Sequence, residues 1–225
     1  MQKMMKGEIK LLEKKTGNVI VIEEDNTLNF DACVDFANWV DMTKLPKILH
    51  RKNIDKVHIL HELIHLEKFF VDQYSLIATN DTNLHRELDI FKNIPEDYVA
   101  HKILSYEYGL EPIDKKWLVG KDNLRLPDNE IAANLVNFHA FSEFCTECKV
   151  MFESFRQECR QKKAIAYSMA ERAISALDKM DYTEKDSYNE CAGKMIRIFA
   201  SNYYATGKIY LSFLFKEKNE WHWNR

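Results

Sequence analysis

The sequence predicts an α+β fold that is predominantly helical, with a small N-terminal β-sheet and a C-terminal bundle of long helices. Three observations carry this expectation. The 225 residues include only six glycines and four prolines, so tight loops are few. From Asp128 to Met180 there is neither Gly nor Pro, and apolar residues recur at gaps of three and four: Ile131, Leu135, Phe138, Phe141, Cys145, Cys148, Phe152, Phe155 and Cys159. Near the N-terminus, two short apolar runs flank the turn signal Thr16-Gly17-Asn18, which predicts a β-hairpin over residues 8–24.

Apolar positions Phe30, Cys33, Val34, Ala37, Val40, Met42 and Leu45 predict a helix over 26–45, ended by Pro46. The run VHILHELIHLEKFF is helical throughout, with Asp55 as its N-cap or first-turn residue. A polar loop and a short helix from near Asn83 follow. Pro95, Glu96 and Asp97 then open a helix that Gly109 closes. After Met180, Thr183 caps a helix reaching about Tyr204. Residues 207–215 read as a strand or a helical end, and the polar-aromatic tail KEKNEWHWNR as loosely held. One unbroken helix over 128–180 would be about 75–80 Å long, so a break near 160–165 is expected. The division into two regions is placed between residues 118 and 119, at the Gly- and Asp-containing stretch before the helical half.

With 46% apolar and 30% charged residues and a net charge of −3, the chain is a soluble globular type. That balance excludes a general attraction to nucleic acid or to an anionic membrane. No segment has the 18 or so uninterrupted apolar residues of a membrane span. The N-terminus MQKMMKGEIKLLEKK lacks the apolar core of an export signal, and five scattered cysteines suit a reducing compartment. A cytoplasmic location is expected.

The chemistry-bearing stretch is LHELIHLEKFF, residues 60–70. On a helix, His61 and His65 lie one turn apart on one face, roughly 5–6 Å apart at Cβ, and can direct ring nitrogens at one metal ion. Glu62 stands about 100° round the helix from His61. It is placed to serve as base toward a metal-bound water rather than as a ligand. The flanks Val57, Ile59, Leu60, Leu63, Ile64 and Leu66 make the helix apolar nearly all round, and buried histidines without partners are costly. A Zn²⁺ ion would supply partners to both.

HELIH with apolar flanks resembles the active-site helix of the zincin metallopeptidases, over this helix and more loosely up to about residue 112. Glu67 departs from it, a charge where zincins commonly carry an apolar residue. The resemblance implies a zinc-dependent hydrolase, most simply a peptidase acting on a peptide or protein substrate, with residues 1–118 as the metal-binding region and 119–225 as a helical region packing on it. The metzincin subtype is excluded, because Lys68 and Val71 stand where it needs Gly and His. The gluzincin subtype takes a glutamate from a downstream helix, which points to Glu96 as the third metal ligand. Asp97 and His101, four apart on the same helix, are the competitors. His85 and Glu87 are less well placed.

Other features have plainer readings. Acidic residues in a first helical turn usually complement the helix dipole. Cys145-Thr-Glu-Cys148 would need a helix N-terminus to be a redox pair, and it falls in phase with the Phe stripe, so Cys145, Cys148 and Cys159 are expected as core thiols. Tyr98, Tyr106 and Tyr108 are candidates to steady an oxyanion. His139 reads as a core or surface residue. Arg160 to Lys163 reads as solvated helix surface. The alternative function is a helical interaction or regulatory protein with a structural or relict zinc site, working through the stripe from Ile131 to Met180, which could also pair two copies. A zinc hydrolase acting on non-peptide bonds is a third reading.

Overall fold

Residues 2–16 carry mostly straight-chain side chains, which lose little rotamer freedom in a helix. In the computed structural model, which describes residues 2–111 and 120–224, they form α1 (Gln2–Thr16) and not the first strand of a hairpin. Thr16-Gly17 is the end of this helix. Gly17 adopts φ +70° and its N–H donates to the Glu13 carbonyl at 2.9 Å, a glycine C-terminal stop. The turn signal was real, but a left-handed glycine serves a helix end as well as a hairpin.

The chain divides into two compact units, one of residues 1–75 with 212–225, the other of residues 76–211. The division expected between residues 118 and 119 lies outside the described residues. The fold is α+β and mostly helical, with a small three-stranded sheet near the N-terminus, as the sequence predicts.

In the first unit, β1 (Ile22–Glu24), β2 (Ala32–Val34) and β3 (Ile48–His50) form a sheet in the order β1-β3-β2. β1 runs parallel to β3 with Ile22 opposite Ile48, and β2 antiparallel with Ala32 opposite His50. The helix expected over 26–45 does not form. Asp25, Asp35 and Asp41 each accept a backbone N–H two or three residues on, from Thr27 (2.8 Å), Asn38 (3.2 Å) and Thr43 (3.1 Å), and these turns outcompete the helix.

Helix α2 (Lys56–Phe70) starts where the sequence places it, with the Asp55 carboxylate accepting the Val57 N–H at 3.1 Å. It packs against α1, β2 and β3. Its buried face includes Ile59, Leu60, Leu63, Ile64, Leu66, Phe69 and Phe70. Glu67, the departure from the zincin pattern, is ion-paired with Lys15 of α1. The charge is therefore accounted for by a helix–helix contact.

The tail expected to be loose is a strand. β5 (Ile209–Glu217) turns at Lys218 and Asn219, both with positive φ, and pairs antiparallel with β6 (Glu220–Asn224). Two consecutive left-handed residues match the twist of a two-residue hairpin. Trp221 is 4% exposed, meets Phe70 edge-on at 4.8 Å between centroids, and donates its backbone N–H to the Met42 carbonyl. Lys216 lies over the Trp221 ring and donates to the Thr16 carbonyl at 2.8 Å, fastening the hairpin to the end of α1.

The second unit begins with β4 (Leu76–Thr79), a 3₁₀ turn at Thr82–Leu84 and the short α3 (His85–Asp89), then α4 (Ile94–Tyr106) with Pro95 in its first turn. The Gly-free stretch forms α5 (Asp128–Ser142), α6 (Thr146–Lys162) and α7 (Ala164–Asp178). The break near residue 163 is where helix length predicts it, with Lys163 at φ −139°, ψ 61°. A second break, at 143–145, has no Gly or Pro to announce it. Both flanking helices keep the apolar stripe inward, so its period survives. α5 packs on α6 and α7 and α7 on α8 (Lys185–Phe199), with Ala166, Ala170 and Ala173 fully buried. The stripe from Ile131 to Met180 is mostly buried within the unit. α8 starts one residue past the expected position, because the Thr183 hydroxyl is turned to Asp181. Ala200 then separates it from α9 (Ser201–Ala205). No helix among the described residues is long and apolar enough to cross a membrane.

Glu143, in the second break, ties α4 to α5. It accepts from Tyr98 (3.0 Å), Tyr106 (2.6 Å) and Lys102. Burial alone would push its carboxyl up, but these donors outweigh burial and hold it below the ordinary 4.5. A lowered carboxyl contributes stability above its ordinary value, and that stability is lost as pH falls through the folded value. Glu143→Gln is therefore expected to destabilise at pH 7, and the gap from wild type should shrink as pH is lowered past about 4.5. Urea unfolding across pH 3.5–7 reads this, and a gap constant with pH would refute it.

Candidate metal site

Helix α2 places His61 and His65 one turn apart, and both are buried, 7% and 8% exposed. Their Nε2 atoms lie 2.8 Å apart, with ring centroids at 4.5 Å and planes crossing at 76°. Two zinc–imidazole bonds of about 2.0–2.1 Å at a tetrahedral angle put the nitrogens about 3.3 Å apart. The rings thus need open by only about half an ångström, within small χ adjustments, to accept an ion between them. The His65 ring lies parallel to Phe69 at 5.9 Å, an apolar backing for the imidazole.

Glu62 is directed elsewhere on the helix, as its 100° offset requires. Its Oε2 accepts the Val34 backbone N–H at 3.0 Å. β2 has its ladder partner β3 on one side only, so the carboxylate satisfies an N–H of the sheet edge and is held in place by it. One carboxylate oxygen is occupied this way and the second can serve a water. Cys33, in β2, is raised to about 12, first by burial and then by the nearby Glu62 charge, so its thiol stays neutral at pH 7. His58, one turn before His61, faces Asp31 at 3.6 Å.

The other sequence candidates lie in the second unit. Glu96 and Asp97 are half-buried in the first turn of α4, as the sequence places them. His101, one turn on from Asp97, is buried with its ring 4.9 Å from that of Phe141. Lys121 feels the Asp97 charge, which opposes the larger downward push of burial on its ammonium. His85 is exposed and Glu87 half-buried on α3. Tyr98 and Tyr106, candidates for oxyanion contacts, have their hydroxyls engaged by Glu143, and burial with that carboxylate pushes the Tyr98 phenol upward. His139 pairs with Asp178 at 2.7 Å.

What the sequence reading missed is the strand behind Glu62. Residues Ala32–Val34 fall inside the stretch expected as helix, so no edge N–H was available to anchor a carboxylate. The β-leaning run Ala-Cys-Val between two Asp-led turns was the only signal. Comparison with family models, with curated proteins and with solved structures found no match.

Proposed function

We propose that this chain is a zinc-dependent hydrolase, most simply a peptidase, in which His61 and His65 hold the metal and Glu62 is the base. The observation that carries this reading is the 2.8 Å approach of two buried imidazole nitrogens on α2, a helix whose Glu62 is anchored by a strand N–H. The zincin resemblance of the same helix supports it. When bound, zinc would lower the pKa of a water from 15.7 toward about 7. Glu62 would be the base toward that water through its other oxygen, and the Val34 N–H on Oε2 holds the carboxylate in place.

A catalytic site of this type needs a third protein ligand. The zincin resemblance points to Glu96 in α4, with Asp97 and His101 as the competitors. The motif specifies how water is activated and not what is cleaved, so a non-peptide substrate is the second reading. The interaction-protein reading draws less support, because the apolar stripe it would use is mostly buried inside the second unit.

Elemental analysis of the purified chain tests this. About one zinc per chain is expected, with Glu96→Gln lowering occupancy more than Asp97→Asn. A chain without metal overturns the reading, and the reverse order of the two variants moves the ligand to Asp97.

A further inference from the structure

The break at 143–145 changes what Cys145-Thr-Glu-Cys148 is. The pair does not sit within a continuous helix. Cys145 is the N-cap of α6, with extended backbone at φ −146°, ψ 119°. Its sulfur accepts the Cys148 N–H at 3.3 Å, satisfying one of the backbone donors that a helix start leaves unpaired. Two cysteines three apart, the first capping a helix and the second one turn in, are the arrangement that thiol–disulfide chemistry uses.

The two sulfurs also differ in access as that chemistry requires. Cys148 is 1% exposed, while Cys145 is half-buried and lines a cavity of about 730 Å³ with Ser142, Thr146, Lys149 and His139. That volume lies within the range of small-molecule sites. Two lysines, Lys102 and Lys149, line it. The two carboxylates at its wall already have partners, Glu143 with Lys102 and the tyrosines, Asp178 with His139. The other three thiols are unsuited to the task. Burial is the largest cause raising Cys33 to about 12, Cys159 to about 11 and Cys191 to about 12.

We propose that Cys145 and Cys148 are a redox-active dithiol, which closes to a disulfide by exchange with small disulfides and reopens with small thiols. The Cys145 sulfur attacks one sulfur of RS–SR, forming a Cys145–S–SR mixed disulfide and releasing RS⁻. The Cys148 sulfur then attacks the Cys145 sulfur, closing the Cys145–Cys148 bond and releasing the second RS⁻. The two cysteine protons pass to the two RS⁻, giving two RSH. The protein loses two electrons and RS–SR gains them. The attack on Cys145 and the resolution by Cys148 follow from which sulfur the cavity exposes.

The full chain, native at neutral pH, is equilibrated with excess oxidised glutathione, quenched in acid, alkylated and mapped by mass spectrometry. The expected product carries a 145–148 disulfide with Cys33, Cys159 and Cys191 alkylated as thiols, and dithiothreitol returns all five to the alkylated form. Cys148→Ser is expected to stop at one glutathione on Cys145. Cys145→Ser should take up at least about tenfold less. Wild-type protein with all five thiols still free, or with a bridge that omits Cys145, overturns the proposal whether or not the variants fold.

Discussion

Glu62→Gln is expected to retain zinc and to lose hydrolysis by about 10²–10⁴-fold in kcat, the usual contribution of a positioned general base. Glutamine is the informative replacement because of what Glu62 does structurally. Its Oε2 accepts the Val34 N–H, and a glutamine carbonyl oxygen can accept the same bond, so the contact with the β2 edge survives. What is lost is the ability to receive a proton. Alanine would remove both, leaving an edge N–H without its acceptor and confusing a catalytic loss with a structural one. Turnover of a quenched fluorescent peptide library, read beside zinc content and far-UV circular dichroism, separates the effects. A variant with unchanged zinc and unchanged kcat would remove Glu62 from the chemistry.

Stripping the metal should lower the melting temperature of wild type by about 5–10 °C. A ligand at 100 times its Kd stabilises by about 2.7 kcal/mol, and each kcal/mol moves the midpoint by roughly 2–4 °C in a chain of 150–250 residues. His61→Ala and His65→Ala are expected to start lower and to respond to neither chelator nor added zinc. The reason lies in the 2.8 Å approach of the two Nε2 atoms, which a single ion would bridge and which one imidazole alone cannot reproduce. Scanning calorimetry with and without chelator measures it. An equal chelator shift in wild type and in both variants would place the metal elsewhere.

The parts of this molecule legible in the sequence are those fixed by local forces. Asp55 announced the start of α2, and the apolar positions of that helix predicted its burial. The end of the long helical run near residue 163 followed from length alone. The structure departs from the sequence reading where one local signal carries two meanings or two signals compete. Thr16-Gly17 could close a helix or a hairpin, and the apolar spacing over 26–45 was helical while three aspartates were closing turns against it. The break at 143–145 was hidden because a sulfur, and not Ser or Asp, caps α6. His61, Glu62 and His65 could be singled out in the sequence because helical geometry couples residues four apart. The Val34 contact joins residues 28 apart in sequence, so it has no local signature.

The first unit is assembled from two pieces of chain with the whole of the second unit lying between them. Its closing piece, the β5–β6 hairpin, delivers Trp221 to Phe70 at the end of the helix that bears both histidines. A ribosome adding 5–20 residues per second therefore leaves α2 waiting on the order of ten seconds for its last packing partner. The second unit, continuous in sequence, can be complete by then. During that interval Phe70 lacks Trp221 and Trp39 lacks Trp223, so biosynthesis passes through a state in which the histidine-bearing helix is only partly enclosed. Full enclosure of the histidine-bearing helix is thus tied to translation of residues 212–225, more than 140 positions after the motif itself.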